Sequence, residues 1–239
     1  MTEMQPQYPG DELAAMARAH NYYRWILRQW APHIRGAVLE LGAGTGNFSA
    51  HLIRATTGAV TLLEPSDALV AQLKARFATA ENVDVEHSVL HDVEKRLASK
   101  FDVVVSVNVL EHIDDDVETL RTIHRLLRPT GVVLLFVPAL PFLYGAMDRA
   151  FGHVRRYTKT SMAAALDAAG FSQARLQYVN ALGVLPWLVA GRMLRRKTIA
   201  PGAVAFADRT LIPLTAMLER WISPPLGQSI MAVARKRGQ

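Results

Sequence analysis

The chain has 239 residues, half of them hydrophobic and 20% charged, which suits an α/β domain with a full core and excludes a disordered chain. It contains no cysteine, so disulfides and thiolate metal sites are excluded and a cytoplasmic setting is expected. The formal net charge of +6 admits an anionic partner, RNA or an acidic lipid surface, and equally serves plain solubility. The acidic start (Glu3, Asp11, Glu12) does not read as a secretory signal, and the apolar run from Leu182 to Gly191 is too short to span a bilayer and holds Pro186.

In chain order, residues 11–31 carry apolar side chains at helical spacing (Leu13, Met16, Tyr23, Ile26, Leu27, Trp30), and Pro32 ends them. Strands and helices then alternate. Ala37–Leu41 reads as a strand and Asn47–Ala55 as a helix, followed by a strand at Ala59–Glu64. Ser66 is placed to cap a helix whose inner face holds Leu69, Val70, Leu73 and Phe77. Val83–Val89 is a third strand, and the valine-rich run Phe101–Val107 suits a central parallel strand covered on both faces. Asp114 or Asp115 caps the next helix, Pro129-Thr130-Gly131 stops it, and Val132–Val137 is a fifth strand. After a loop over 138–157, Thr158 or Thr160 opens a helix that Gly170 closes, and Phe171–Val179 is a strand. Two apolar helical pieces, Leu182–Arg195 and Leu211–Ile222, precede a last strand, Gln228–Ala234. This alternation predicts a doubly wound, mostly parallel seven-stranded sheet in one domain over 1–239, with ligand bound at the rim of strand C-terminal ends.

The first strand runs into Glu40-Leu41-Gly42-Ala43-Gly44-Thr45-Gly46-Asn47. Glycines there let the backbone take positive φ and lie against a ligand. A dinucleotide loop wants G-x-G-x-x-G, whereas this block is G-x-G-x-G with Asn47 at the third glycine's place. A P-loop is excluded because no Lys follows.

The block Glu40-x-Gly42-x-Gly44-x-Gly46, with the elements after it, resembles the class I S-adenosylmethionine-dependent methyltransferases over about residues 37–180. The resemblance implies a Rossmann-like methyltransferase fold, with the late strand after the insertion at an antiparallel edge, and S-adenosylmethionine as cofactor. It places Gly42, Ala43, Gly44 and Gly46 along the methionine and ribose, and Glu40 near the amino group. Glu64, followed by Pro65, would accept both ribose hydroxyls, as a carboxylate's two oxygens allow. Asp92 would accept from the adenine amino group, with Val93 beside the ring, and Asn108 and Val109 would close over the methionine end. Tyr22, Tyr23 and Trp25 are either a cover for the cofactor or core residues. Asn108-Val109-Leu110-Glu111 is not the Asn/Asp-Pro-Pro-aromatic tetrapeptide of base-amine methyltransferases, which argues against a DNA-adenine substrate.

Acceptor chemistry is expected in the 138–157 loop, which carries Phe142, Tyr144, Asp148, His153, Arg155, Arg156 and Tyr157. Similar loops occur in small-molecule and glycan-associated members of the family. The methyl donor is already activated, so alignment dominates and a hydroxyl acceptor needs only its proton removed. His153 is the first choice for that base and His112 the second, with Asp148 orienting either. Phe142, Tyr144, Arg156 and Tyr157 are expected on the substrate, and the alternative is that His153, Arg155 and Arg156 only pin the loop. No carboxylate cluster at ligand spacing is evident, so no metal is expected.

The apolar, basic insertion over 182–222 (Trp187, Leu188, Met193, Arg195, Arg196, Lys197, Leu214, Leu218, Trp221) reads as a packed lid, with contact at a membrane surface or a dimer partner as alternatives. The expectation is methyl transfer to an oxygen or nitrogen of a small-molecule or lipid- or glycan-linked acceptor, by a monomer or homodimer that is cytoplasmic or peripheral to a membrane. The rivals are an RNA methyltransferase, although no dense basic stripe with aromatics supports nucleic acid, and a non-catalytic cofactor-binding module.

Overall fold

A computed structural model describes residues 14–237, so residues 11–13 of the expected first helix and the acidic stretch before them lie outside the described residues. Seven strands occur among the described residues: β1 (Val38–Leu41), β2 (Val60–Glu64), β3 (Val83–His87), β4 (Phe101–Val107), β5 (Leu127–Pro138), β6 (Phe171–Val179) and β7 (Ser229–Lys236). They form one sheet in the order β3-β2-β1-β4-β5-β7-β6. The pairs among β1 to β5 are parallel, and β7 runs antiparallel to both β5 and β6. The parallel set ends on one rim, at Leu41, Glu64, His87, Val107 and Pro138.

Alternation along the central strands feeds two cores, one on each face. Val104, Val133, Leu135 and Val137 pack with Leu39, Leu120 and Leu166 on one face. Val103, Val105, Leu134 and Phe136 pack with Ile26, Trp30 and Leu52 on the other. This double covering is why β4 and β5 are nearly uninterrupted aliphatic runs.

The expected helices Ser49–Ala55, Asp67–Arg76, Asp116–Leu126 and Lys159–Ala168 are present. Asp115 caps the third of these by accepting from Glu118 N at 2.9 Å, and Thr158 caps the fourth by accepting from Ser161 N at 3.0 Å. Ser66 stands at the cap position of the second, but its side chain makes no cap hydrogen bond.

Four expectations need correcting. The N-terminal pattern is not one helix: residues 14–16 are helical, the helix is interrupted at 17–19, and α1 is His20–Trp30. The reason is tertiary. Asp208, distant in sequence, accepts from Asn21 N at 3.1 Å and Tyr22 N at 2.8 Å and so supplies the cap that Ala19 lacks. The fifth strand starts earlier, at Leu127, because Leu127 pairs with Phe101 ahead of an irregular stretch. The last strand is antiparallel but is not at an edge: β7 lies between β5 and β6, and Ser229–Ala232 are buried. Finally, the second piece of the insertion is the helix α2 (Pro201–Glu219), which begins ten residues before Leu211 and ends before Trp221. Pro201 at its first turn is pre-set for helix entry. The first piece is a short α turn, Val184–Trp187, followed by a π-helical stretch, Leu188–Met193. No described helix is long and apolar enough to cross a membrane.

Asp208 is buried and holds α1 to α2, so Asp208→Ala is expected to lower unfolding stability by about 1–2 kcal/mol through the lost cap. Urea unfolding of the two proteins measures it, and an unchanged midpoint would show that the cap carries no stability.

Candidate active site

The loop after β1 is shaped by contacts on both sides. Gly42 has φ +71°, and a Cβ there would meet Val109 Cγ2 at 2.6 Å. Gly46 has φ +77°, and a Cβ would meet Phe77 and Leu73 within 3 Å. Both positions therefore require glycine. Arg76 Nη1 donates to Thr45 O at 2.6 Å and Asn47 Oδ1 at 3.0 Å, so the bend is held from outside by a residue that sequence reading did not single out.

Two buried carboxylates lie against this loop. Glu64 Oε2 accepts from Gly44 N at 2.9 Å and Oε1 from Ser66 N at 3.0 Å. Burial pushes its pKa up, and these two N–H groups partly offset the shift. Each oxygen keeps a second lone pair for a further donor. Glu40 is 3% exposed, and its Oε2 has no protein hydrogen-bond partner. Burial raises its pKa to about 8, with the hydrogen bond from Ser49 acting against the rise and Glu64 adding to it. An orphaned acceptor beneath a glycine loop is a place where a cationic donor group fits.

The remaining residues of the implied cofactor set are spread differently. Val109 is buried against Gly42, Ala43 is buried in the core, and Pro65 follows Glu64, its carbonyl 3.2 Å from His87 Nε2. Asn108 takes φ +53° directly after β4. Asp92 is exposed in the first turn of the helix Leu90–Leu97, whereas Val93 is 1% exposed inside the core. Tyr23 and Trp25 are also core residues, while Tyr22 is half-buried and faces a cavity.

That cavity, about 280 Å³, lies on the β4–β5 side of the rim. Its polar end is built by Asn108, Glu111, His153, Arg156, Asn180 and Ser229, and its apolar walls by Met16, Met147, Trp187, Ile199, Val204 and Ile212. Asn108 and Asn180, which follow β4 and β6, both adopt left-handed backbone, which asparagine tolerates better than branched residues.

The 138–157 loop is organised by Asp148. Its Oδ1 receives His153 Nδ1 at 3.0 Å and Arg156 Nε at 2.6 Å, and its Oδ2 receives Gly145 N at 2.9 Å. Burial works against the Asp148 charge, but the His153 hydrogen bond and the Arg156 guanidinium outweigh it and hold the carboxyl below its ordinary range. A carboxylate only accepts, so His153 Nδ1 donates to Asp148, and Nε2 points toward Glu111, 4.0 Å away. The His112 ring packs edge-on against His153 at 4.8 Å. Burial, then the neighbouring His153, lowers His112 to about 4, so it is neutral at physiological pH.

Three residues expected on the substrate do not line this cavity. Phe142 is 52% exposed on the outside of the loop. The Tyr144 hydroxyl donates to His153 O at 2.7 Å, which braces the loop. Tyr157 is buried, donating to Asp116 Oδ2 at 2.9 Å, and burial with the Asp116 charge keeps it protonated. Arg155 pins the loop outward, 2.8 Å from Asp116. Arg156 does line the cavity, stacked 4.8 Å from the centre of the Trp187 ring. At the level of sequence no cluster of carboxylates is evident; folding instead gathers a mixed set, the ligand atoms of Glu111, His112 and His153 lying within 4.8 Å of one another. Only folding brings residue 153 to residues 111 and 112, through Val154 N donating to Glu111 O at 2.8 Å.

The raised pKa of Glu40 has a signed consequence. Its protonated form is favoured in the fold, so the stability it contributes is full below about pH 4.5 and is lost as pH rises toward 8. The Tm advantage of Glu40→Gln over wild type is therefore expected to widen between pH 5 and pH 8, and a difference independent of pH would show that Glu40 is ionised throughout.

Comparisons with known proteins bear on this geometry. The methyltransferase-domain family Methyltransf_23 matches residues 14–175, about two thirds of the chain. A probable S-adenosylmethionine-dependent methyltransferase of Mycolicibacterium smegmatis is 33% identical over 136 residues, covering 56% of this chain and 51% of that protein. A ubiquinone biosynthesis O-methyltransferase of Pseudomonas syringae pv. tomato is 32% identical over 99 residues, 40% of this chain and 41% of that one. The matched part of this chain thus spans only about half of the first relative's length and two fifths of the second's. Among solved structures, a SAM-dependent methyltransferase from Archaeoglobus fulgidus superposes with TM-score 0.61 at 16% identity, over 91% of this chain and 94% of that one, a likeness of fold alone. The sheet order, the glycine loop with its two acids and the family match agree: the chain belongs to the methyltransferase-domain family of the S-adenosylmethionine-dependent class.

Proposed function

We propose that the protein transfers the methyl group of S-adenosylmethionine to an oxygen or nitrogen of an acceptor with an apolar, lipid-like body. The observation that carries this reading is His153, held by Asp148, lining a cavity whose walls are mostly apolar. The glycine loop, Glu40 and Glu64 would hold the cofactor, with Glu40 Oε2 accepting from its ammonium group and Glu64 from its ribose hydroxyls. When bound, the cofactor supplies a methyl group on a sulfonium: the acceptor's lone pair forms the new bond, the S–CH₃ bond breaks, and its electrons neutralise the sulfur. His153 Nε2 takes the proton of a hydroxyl acceptor, and Asp148 stabilises the imidazolium that results. Arg156, Asn108 and Asn180 orient the reacting end.

The outer face of the insertion supports a lipid-linked acceptor. Trp187 and Leu188 pack inward, but Leu185, Val189, Met193, Leu194, Phe206, Leu214, Met217, Leu218, Trp221 and Ile222 are exposed. The same segment exposes Arg192, Arg195, Arg196, Lys197, Arg209 and Arg220. Its acids, Asp208 and Glu219, are turned to backbone N–H groups at residues 21, 22, 180 and 181. An apolar surface fringed only by exposed bases suits an anionic membrane.

Two measurements test the reading. Calorimetry with S-adenosylhomocysteine is expected to give saturable binding that Gly42→Ala weakens at least tenfold; no binding at millimolar ligand would remove the proposal. Anionic phospholipid vesicles are expected to sediment the protein while zwitterionic vesicles do not, and Arg195→Glu with Lys197→Glu or high salt should release it. Equal binding to both vesicle types would remove the lipid-surface element.

A further inference from the structure

We infer that Glu111, His112 and His153 form a binding site for a divalent transition-metal ion at the polar end of the acceptor cavity. Their ligand atoms lie within 4.8 Å of one another, whereas ligands of one ion in tetrahedral or trigonal arrangement stand about 3.5 Å apart at bond lengths near 2.1 Å. Side-chain rotation that closes the widest pair by somewhat more than an ångström completes the set. A carboxylate and two imidazoles suit zinc, manganese, iron or cobalt, and three protein ligands leave positions open toward the cavity that Glu111 and His153 line.

A second, independent feature is the support behind the histidines. Metal-bound imidazoles characteristically hydrogen-bond through the other ring nitrogen to a carboxylate or a backbone carbonyl. His153 does so through Nδ1 to Asp148, and His112 is hydrogen-bonded to the Gly152 backbone. The backbone contact between Val154 and Glu111 locks the two ligand-bearing segments together before any ion arrives. The ion site stands on this geometry. Its part in the reaction rests on the methyl-transfer reading: a bound ion would take the acceptor hydroxyl as a ligand and lower its pKa, with the proton leaving to solvent because His153 Nε2 is then occupied.

The test uses the full chain after EDTA treatment and dialysis. Titration with Co²⁺, followed by visible absorption, is expected to saturate at one ion per chain, and Zn²⁺ should displace it. His112→Gln and His153→Gln should each weaken Co²⁺ binding more than tenfold, and Asp148→Asn tenfold or more through lost support. Circular dichroism and S-adenosylhomocysteine calorimetry on the same samples report folding and the cofactor site separately. Absence of saturable Co²⁺ uptake in a wild-type protein that binds S-adenosylhomocysteine would overturn the metal site and leave the methyl-transfer reading standing. So would folded glutamine variants that bind Co²⁺ as wild type does. Co²⁺ uptake without S-adenosylhomocysteine binding would do the reverse.

Discussion

A single buried carboxylate, Asp148, governs the cavity side of the sheet rim. It is fully buried, and a charge in that position persists only if it is paired and hydrogen-bonded. Gly145 N, His153 and Arg156 meet that demand, and each does a second thing by doing so. The Gly145 contact starts the short helix Ala146–Ala150. The His153 contact orients the ring, with Nδ1 donating. The Arg156 contact leaves Nη1 to bond Ala139 O at 2.9 Å and the guanidinium plane to lie over Trp187. The geometry of the loop, of the cavity floor and of the first piece of the insertion therefore descends from one ionic site.

The insertion is tied to the site by the same economy of buried polar groups. Arg192 donates to Tyr144 O at 3.0 Å, and Gly145 approaches the Gly191 backbone so closely that a Cβ would meet its carbonyl oxygen at 2.7 Å. Asp208 caps α1 and Glu219 receives the amides of Asn180 and Ala181. Every inward polar contact of the insertion thus lands on a segment that lines the cavity, or on a neighbour of one. Its apolar and basic residues are left on the outside. Whatever touches that outer face is mechanically close to the acceptor.

Much of the fold was legible because its signals are local. The aliphatic runs of β4 and β5, the glycine block and the caps at Asp115 and Thr158 each depend on residues within a few positions of one another. The expectations that failed are those where a distant residue intervened. Asp208 moves the start of α1, and β7 passes from the expected edge to the sheet interior because β6 pairs outside it. Tyr157 and Val93 are buried in the core beneath the rim, which their local sequence did not show. Glu111 was visible as part of a strand-end segment, yet nothing nearby in sequence showed that His153 would face it.

The amino-acid sequence by itself determined the sheet class, the glycine turn after the first strand and the helix starts, because periodicity, glycine spacing and capping act over one or two turns of chain. Only the tertiary structure decided which members of the 138–157 loop face the cavity, that Glu111, His112 and His153 converge, and that the acids of the insertion turn inward. Those outcomes depend on which buried charges find partners, and a partner forty or two hundred residues away leaves no trace in local pattern.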